Sequence, residues 1–431
     1  MSKNFITKFE MHTFIKALFY LFPFFMLLES AFITFYLTIF TISILFFYYL
    51  KKIEIKFDNI DYLIIIFFLL KFITTLFNIN ILGNFLFFKS ILDFRFLIFF
   101  IVIRKLIFHE LVNLRFLFLV ALFCTIFLSL DIIYQNINGK DLFGNLPFDG
   151  RFNGTFEHEA IAGGYIQKNF LFALCIIFLL KIKNLNKFFL LTFVTIILGS
   201  GILLSFDRMP FIIFLLIIFL LIISLKQYRI FFGLNLFFLF AIFISLFYSY
   251  EKLQYRYFSL YNEFDTKKIK SISTISKTEQ IKSLDVQEDN KKEFTGYFKI
   301  YKTAFYIWSE NPIIGSGTRS FQKVCLKMQL REKNIACSTH PHNIYFEILS
   351  NQGLLGFTLF ILFIITLLIN FYKKITSDFS KNKNIINKIF LIILISELWP
   401  LRSYGGIFQT VNGSMFWFTL ALISSYKFSL K

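Results

Sequence analysis

Uninterrupted apolar runs recur along almost the whole chain, separated by short segments that hold most of its charged residues. A run of about twenty apolar residues, folded as an α-helix, spans the hydrocarbon core of a bilayer, which is about 30 Å thick. Membrane β-barrels show short alternating segments instead. The pattern predicts about twelve membrane-spanning helices: Phe14–Leu28, Phe32–Leu50, Ile60–Asn78, a fourth that ends at Arg104, Leu111–Ile133, Ile161–Leu180, Phe188–Phe206, an eighth that follows Pro210, Phe231–Tyr248, Leu354–Phe371, Ile389–Leu401 and Ser414–Tyr426.

Residues 250–351 form the one extended polar segment of the chain. Its first part, Asp265–Glu293, is rich in lysine, serine and acidic residues and is predicted to be mobile. Thr295–Glu310 is predicted to be an amphipathic helix, because aromatic side chains recur on one helical face. These aromatic residues are Phe298, Tyr301, Phe305 and Trp308.

The predicted fold class is therefore all-α, a polytopic transmembrane helical bundle with one long outer loop that contains short helices. Transmembrane helices one to nine lie in residues 1–249, the loop in residues 250–351 and helices ten to twelve in residues 352–431. Lysines and arginines cluster at alternate ends of the apolar runs, and such ends are cytoplasmic by the positive-inside rule. Both termini are then cytoplasmic, and the long loop lies on the outer side.

Composition agrees with this pattern, since 57% of the residues are hydrophobic and the mean hydropathy is +0.68. The formal net charge of +19 could suggest a nucleic-acid partner. Its position at the ends of apolar runs argues against that, because the charge then serves membrane topology. Membrane lipids are the expected surroundings, and no nucleic acid is expected.

Two of the five histidines, His340 and His342, lie one residue apart where the polar segment meets the apolar run that begins at Gly353. Asn343 follows them as a residue that favours the start of a helix. One interpretation is a loop whose histidines only precede a helix cap. The other is a titratable pair held where water meets the membrane, as a catalytic site could require.

Arg151, Arg208 and Arg402 fall at the outer ends of predicted spans, on the same side as His158 and the histidine pair. Arginine presents a planar fork that matches phosphate oxygens, so a convergent group of arginines predicts a site for a diphosphate. For each arginine taken alone, an anchor to lipid headgroups is an equal alternative. The chain has no phosphate-binding loop of the Gly-Lys-Ser/Thr type, which argues against nucleotide hydrolysis.

Cys325 and Cys337 both fall in the outer segment, where an oxidising compartment would permit a disulfide. A metal site is the weaker interpretation, because two cysteines and a His-x-His pair lack the usual spacing of four ligands. No metal and no cofactor are expected.

The motifs together resemble those of the O-antigen ligase and polymerase superfamily. His342-Asn343 followed by Gly353-Leu354-Leu355-Gly356 is similar to the family's periplasmic signature, and Asn311-Pro312-Ile313-Ile314-Gly315-Ser316-Gly317 to the turn before it. Arg151-Phe152-x-Gly154-Thr155-Phe156 resembles its first outer loop, and Asp207-Arg208-Met209 its short arginine turn. The similarity extends from about Arg151 to Trp417.

This resemblance implies a metal-independent inverting glycosyltransferase of the bacterial inner membrane. It would move a glycan from undecaprenyl diphosphate to a hydroxyl of the lipid A-core oligosaccharide on the periplasmic side. Carried over to this chain, Arg151 and Arg208 would hold the donor diphosphate and His342 would be catalytic. Arg402, His340 and Asn343 are further substrate-binding candidates. The family often has an arginine near the start of the amphipathic helix, where this chain has Lys299.

Two other functions fit parts of the pattern. A polymerase of the same superfamily would differ in acceptor and not in scaffold. A transporter of lipid-linked glycans would be expected to show ionisable groups near the middle of the bilayer and repeat symmetry, and the sequence indicates neither.

Lys89 and Asp93 lie four residues apart on the predicted fourth span, and their opposite charges are expected to offset one another.

Overall fold

The computed structural model describes residues 2–51, 53, 55–157, 159–251, 253–254, 257, 297–329, 335–377 and 381–425. These residues form helices and loops, and no strand occurs among them. His158 and the segment predicted to be mobile, Asp265–Glu293, lie outside the described residues. The prediction of an all-α protein is confirmed for the described chain.

The α-helices of the described chain are numbered here in order. They are α1 Ser2–Tyr20, α2 Phe22–Phe25, α3 Ser30–Lys51, α4 Asn59–Phe77, α5 Ile79–Leu82, α6 Asn84–Leu92, α7 Phe94–Phe108, α8 Leu114–Asn138, α9 Ala162–Leu179, α10 Asn184–Leu204, α11 Arg208–Ser224, α12 Arg229–Ser249, α13 Tyr297–Glu310, α14 Ser320–Gln329, α15 Ile344–Ser377, α16 Lys381–Glu397 and α17 Thr410–Ser424.

Seven helical segments of the described chain are long and apolar enough to cross a membrane, which confirms a multi-pass membrane protein. They are α3, α4, α8, α9, α10, Lys226–Ser249 and Ile344–Lys373, and α11 is a shorter apolar helix. The count of twelve is not shown. The predicted fourth span, for example, consists of two helices, α6 and α7, because the helix is interrupted at Asp93.

Helix α9 lies at the centre of the bundle. It packs against α8, α10, α11 and α16, and 89% of its span is buried inside the protein. A helix that is buried on all sides has apolar residues all round its circumference, so its hydrophobic pattern alone does not show which side faces the core. Any polar residue on α9 is therefore surrounded by protein.

Helix α15 begins at Ile344, ten residues before the predicted start at Leu354, and is broken at Gly353, whose φ and ψ are 62° and −162°. The turn at residues 312–317 fills the break. Backbone N–H groups of Ser316 and Gly317 donate to the carbonyls of Ser350 and Asn351, at 3.0 and 2.9 Å. The N–H groups of Leu354 and Leu355 donate to Pro312 and Ile313, at 2.9 and 3.2 Å. Backbone groups freed by the break are thus satisfied by protein, as a membrane requires.

A charged cluster stabilises the end of the bundle at which α4 begins and α7 ends. The Asp61 carboxylate is fully buried and accepts hydrogen bonds from Arg104 and Lys105 on α7. Arg104 also donates to Asp58, the N-cap residue of α4, at 2.7 Å. Removal of one member would leave a buried charge unpaired, so the cluster ties α4 to α7.

Residues 297–351 contain a small hydrophobic core of their own. Helices α13, α14 and α15 pack together, and Cys325 on α14 is bonded to Cys337 in the loop before the histidine pair. The predicted disulfide is confirmed. The described part of the amphipathic helix, α13, ends at Glu310 as predicted.

The predicted pairing of Lys89 with Asp93 is wrong. The Asp93 carboxylate instead accepts from Lys71 Nζ at 2.7 Å and from Arg319 Nη2 at 2.9 Å. Lys89 Nζ lies 4.3 Å from the centre of the Phe85 ring. The two residues still share a helical turn, since the Asp93 N–H donates to the Lys89 carbonyl at 3.1 Å. The Asp93 side chain therefore pairs elsewhere because Lys71 on α4 and Arg319 in the loop before α14 lie closer to it.

Candidate active site

A cavity of about 350 Å³ opens at the end of the bundle where α9 and α11 begin. Five of the residues singled out in the sequence line it: Arg151, Arg208, His340, His342 and Arg402. They come from the loop after α8, the start of α11, the segment before α15 and the loop after α16. The fold therefore brings distant parts of the chain to one cavity.

Two helix N-termini face this cavity. Ile161 and Gly164 at the start of α9 line it, as do Met209 and Pro210 at the start of α11. Neither helix has a side-chain hydrogen bond at its N-cap. The first N–H groups of a helix carry a partial positive charge and bind anions. The cavity is thus suited to a phosphate group.

Asp207 joins the two N-termini. Its Oδ2 accepts from the Gly163 N–H of α9 at 3.2 Å, and its Oδ1 accepts from Arg151 Nη1 at 3.0 Å. The Arg151 side chain is 27% exposed and is also 3.8 Å from Asp149. Arg151 is therefore held in place by a carboxylate while part of its guanidinium group remains accessible.

The loop that carries Arg151 is fixed from α8. Gln135 accepts from the Gly154 N–H at 3.1 Å and donates to the Asn145 carbonyl at 3.1 Å. Asp131 accepts from the Leu142 N–H at 2.9 Å. These contacts hold the loop to the bundle, so Arg151 does not depend on a flexible segment for its position.

Arg402 is buried, with 6% of its surface exposed. Its Nη1 donates to the Ser396 carbonyl at 2.8 Å and lies 3.3 Å from Glu397. Its Nη2 donates to Gln167 on α9 at 2.9 Å. Because both terminal nitrogens already have protein partners, Arg402 is better suited to fixing the loop after α16 than to grasping a ligand with its fork.

His340 has partners on both ring nitrogens. Nε2 lies 3.2 Å from the Tyr404 carbonyl and must donate to it. Nδ1 lies 2.8 Å from the Thr339 hydroxyl and 3.4 Å from the Gln409 amide nitrogen, which donate to it. The ring is therefore neutral, and burial lowers its pKa below the ordinary value. These bonds anchor His340 to the loop before α17.

His342 has a different environment. Its Nε2 lies 2.9 Å from the Ser338 hydroxyl, and among the described residues its Nδ1 makes no hydrogen bond. Burial, with a smaller contribution from the neighbouring His340 ring, lowers the pKa of His342 to about 4. The ring is consequently a neutral proton acceptor near pH 7. Its φ of 56° is unusual for a residue other than glycine.

The His342 ring is supported on one side by Tyr297, the first described residue of α13, whose ring centre is 5.4 Å away. Tyr297 also lines the cavity. Lys299, two residues further, is exposed and is not among the lining residues. Helix α13 thus contributes an aromatic side chain to the cavity, not a cation.

Asn343 does not reach the cavity. Its Oδ1 accepts from the Tyr345 and Phe346 N–H groups at 3.0 and 3.3 Å, so it caps α15. Its Nδ2 donates to the Pro400 carbonyl at 2.7 Å. The side chain fixes the helix that follows His342 and links it to the loop after α16.

Three residues of this site were not predicted to be site residues: Asp207, Lys168 and Tyr404. Each lines the cavity. Lys168 is a single lysine inside an apolar run, a signal that the sequence does contain, because a charge inside a span is costly and marks function. The contacts of Tyr404 and Asp207 depend on tertiary packing and leave no comparable pattern.

Ionisable residues also occur within the spans. Lys71, Asp131 and Lys168 are buried on α4, α8 and α9. Each lies six or seven residues from the end of its helix that is nearest the cavity, or roughly 10 Å at 1.5 Å per residue. They therefore lie in the half of each helix that is nearer the cavity. Within the described ranges, no group of three or more His, Cys, Asp or Glu residues is arranged to hold a metal ion.

Comparison with protein families gives one result. Residues 193–361 match the family model described as O-Antigen ligase. The match includes Arg208, the histidine pair and the break at Gly353, whereas Arg151 and Arg402 lie outside it. No curated protein matches the chain. The match supports the ligase and polymerase superfamily, a glycosyltransferase-like family that in general uses lipid-linked glycans and lipid acceptors.

Proposed function

We propose that this chain, which carries an O-antigen ligase domain over residues 193–361, is an inverting glycosyltransferase of the bacterial inner membrane. Its donor would be a glycan on undecaprenyl diphosphate, and its acceptor a hydroxyl of the lipid A-core oligosaccharide. One observation carries the proposal: Arg151, Arg208 and two helix N-termini line the same cavity as His342.

The positive side of the cavity fits the donor diphosphate. Arginine forks and helix N-termini both bind phosphate oxygens. They supply the kind of charge stabilisation that a divalent cation provides in other diphosphate chemistry, so the proposed reaction requires no metal. Arg151 and Arg208 are the proposed donor ligands, and Arg402 supports the loop beside them.

His342 is the proposed general base. As the acceptor oxygen forms its bond to the anomeric carbon, the bond from that carbon to the diphosphate oxygen breaks and its electron pair leaves with the diphosphate. The acceptor proton passes to Nδ1 of His342, while Nε2–H donates to Ser338 Oγ, 2.9 Å away. Histidine is well suited to this transfer because its neutral form is present near pH 7. A single displacement of this kind inverts the anomeric configuration.

We further propose that the cavity faces the periplasm, that residues 250–351 form a periplasmic loop, and that both termini are cytoplasmic. The disulfide between Cys325 and Cys337 supports this orientation, because disulfides persist in oxidising compartments. Cys124 and Cys175 are buried, so a new surface cysteine can be labelled against a low background.

The orientation is tested with a membrane-impermeant maleimide in intact cells. Asn145→Cys, in the loop that leads to Arg151, should react without permeabilisation. Lys183→Cys, between α9 and α10, should react only after lysis. The reverse pattern would reject the proposed topology.

The transfer reaction is tested with protein in nanodiscs, a lipid-linked glycan and a purified lipid A-core acceptor. Formation of glycan-capped core is the expected product. The alternative is a polymerase that joins one lipid-linked repeat to another, and the same mixture without core would then yield longer lipid-linked chains. Lipopolysaccharide from a deletion strain should correspondingly lack capped core while long chains remain on the lipid carrier. If neither product forms with either acceptor, the glycosyltransferase proposal fails.

A further inference from the structure

Lys168 lies at the floor of the proposed site. It is on α9, the central helix, and only 8% of its surface is exposed. It lines the cavity together with Arg151, Arg208 and Arg402. Its Nζ donates to the Tyr404 hydroxyl at 2.7 Å.

The hydrogen bonding of Lys168 is incomplete. An ammonium group has three N–H donors, and the bond to Tyr404 is the one bond that Lys168 makes among the described residues. The nearby Glu397 carboxylate is already 3.3 Å from Arg402 and accepts from the Tyr404 hydroxyl at 3.1 Å. Lys168 therefore reaches this carboxylate only through Tyr404.

Other buried lysines of the described chain are paired directly. Lys71 Nζ is 2.7 Å from Asp93, and Lys105 donates to Asp61. No carboxylate of the described residues lies within 4.0 Å of Lys168 Nζ. A buried ammonium with unused donors is costly unless something else neutralises it. Since Lys168 lines a cavity, a bound anion can do so.

The charge of the cavity wall agrees with an anionic ligand. Four cationic side chains line it, namely Arg151, Lys168, Arg208 and Arg402, whereas Asp207 is the one carboxylate among the lining residues. Arg402 uses both terminal nitrogens on protein partners. Lys168 is thus better placed than Arg402 to bind a ligand in this part of the cavity.

The geometry points to Lys168 as a ligand of the leaving diphosphate. This inference rests on the proposed function. In the transfer step the bond between the anomeric carbon and the diphosphate oxygen breaks, and that oxygen takes the electron pair and one additional negative charge. Lys168 stabilises this charge with its unused N–H donors. Stabilisation that increases in the transition state raises kcat.

The inference is tested with Lys168→Met, which keeps the length and removes the charge, and with Lys168→Arg, which keeps the charge. Binding of radiolabelled undecaprenyl diphosphate to protein in nanodiscs is measured beside the kcat of glycan transfer. We expect Lys168→Met to weaken diphosphate binding at least tenfold and to lower kcat by about 10²–10³, the effect of removing one preorganised donor. Lys168→Arg should retain most of both.

Lys71→Met is the matched control, because Lys71 is equally buried but does not line the cavity. It should lower the thermal stability and leave the affinity for undecaprenyl diphosphate unchanged. Undecaprenyl phosphate is the matched ligand, and its binding should depend less on Lys168.

Wild-type affinity and kcat in folded Lys168→Met would overturn the inference. If that variant does not fold, Lys168→Arg decides, because a folded arginine variant that fails to bind the diphosphate is equally incompatible with it. The wild-type protein could show no transfer and still bind undecaprenyl diphosphate in a way that depends on Lys168. That result would reject the proposed glycosyltransferase activity and retain the anion site at Lys168.

Discussion

The rings of His340 and His342 lie with their centres 4.1 Å apart and are tilted by 47°. In spite of this proximity their bonding differs. His340 is bound through Nε2 to the Tyr404 carbonyl and through Nδ1 to Thr339, whereas His342 bonds only through Nε2 to Ser338 among the described residues. One histidine is therefore suited to holding the loop, and the other to accepting a proton.

Replacement of the two histidines should separate these roles. His342→Ala is expected to abolish transfer while expression and donor binding remain, because the base is removed and the arginines are not. His340→Ala should retain measurable activity. Transfer is followed as glycan-capped core in the reconstituted assay, and donor binding in parallel.

A second variant controls for backbone strain at His342. Alanine is unfavourable at a φ of 56°, so a loss in His342→Ala could reflect local misfolding. Asparagine tolerates this conformation but is not a base. His342→Asn should therefore be folded and inactive, and near wild-type transfer by that variant would remove His342 from the mechanism.

The pH dependence of transfer should report the buried base. Because burial lowers the pKa of His342 to about 4, the ring is neutral and active above this value and loses activity as the pH falls through it. We expect kcat/KM to be nearly constant between pH 7 and about 5 and to decline below. Bound diphosphate should raise this pKa, since a nearby anion favours imidazolium.

The acid limb of kcat should therefore lie at a higher pH than that of kcat/KM, since kcat reports the complex. Both profiles are measured in nanodiscs with saturating acceptor. An acid limb of kcat/KM near the ordinary histidine value would mean that the ring is solvated in the free enzyme.

Exchange of the donor arginines for lysine tests the guanidinium fork. Arg151→Lys and Arg208→Lys keep the charge but lose paired hydrogen bonds. Each should lower kcat/KM by about 10- to 100-fold, which corresponds to one charge-assisted hydrogen bond of about 1.5–3 kcal/mol. Arg229→Lys, at the start of α12 and outside the cavity, should transfer at the wild-type rate. Equal rates for all three variants would reduce Arg151 and Arg208 to structural or lipid-facing residues.

Much of this arrangement could be anticipated from the sequence, because the relevant signals are local. Arg151, Arg208 and Arg402 follow or precede long apolar runs. The lysine clusters at alternate ends of these runs predict on which side of the membrane each run ends. The histidine pair is marked by its proximity to an apolar run. Convergence on one end of the bundle then follows from topology alone.

Partners that are distant in sequence could not be anticipated. Asp93 pairs with Lys71 and Arg319 and not with Lys89, because tertiary packing brings those two distant residues to it. The break in α15 at Gly353 depends on the turn at residues 312–317, which satisfies the backbone groups there. No local propensity reports such a contact. Lys168 was overlooked because the apolar run around it is strong enough to predict a span by itself.

The disulfide should contribute to the stability of the outer segment. It joins Cys325 to Cys337, with a sequence separation of 12, and the chain-entropy model gives about 3 kcal/mol for a loop of this order. A Cys325→Ser/Cys337→Ser variant should therefore unfold at a lower temperature in detergent. Reductant should lower the wild-type temperature by a similar amount and leave the variant unchanged. Linked peptides are sought by mass spectrometry without reductant, and finding two free thiols would exclude the bond.

The break at Gly353 should be intolerant of any side chain. Its φ of 62° and ψ of −162° belong to a region that is essentially restricted to glycine and costs another residue about 1–3 kcal/mol. A Cβ there would lie 2.3 Å from the Ile313 carbonyl oxygen, so alanine would also expel the turn at residues 312–317. The N–H groups of Leu354 and Leu355 would then lose their acceptors inside the membrane. Gly353→Ala should consequently reduce both the amount of folded protein and its unfolding temperature, measured by size-exclusion chromatography and thermal unfolding in detergent.

Gly233→Ala on α12 is the control, because a Cβ there meets nothing within 4 Å, and it should behave as wild type. A stable, monodisperse Gly353→Ala protein would show that the turn does not hold the broken helix together.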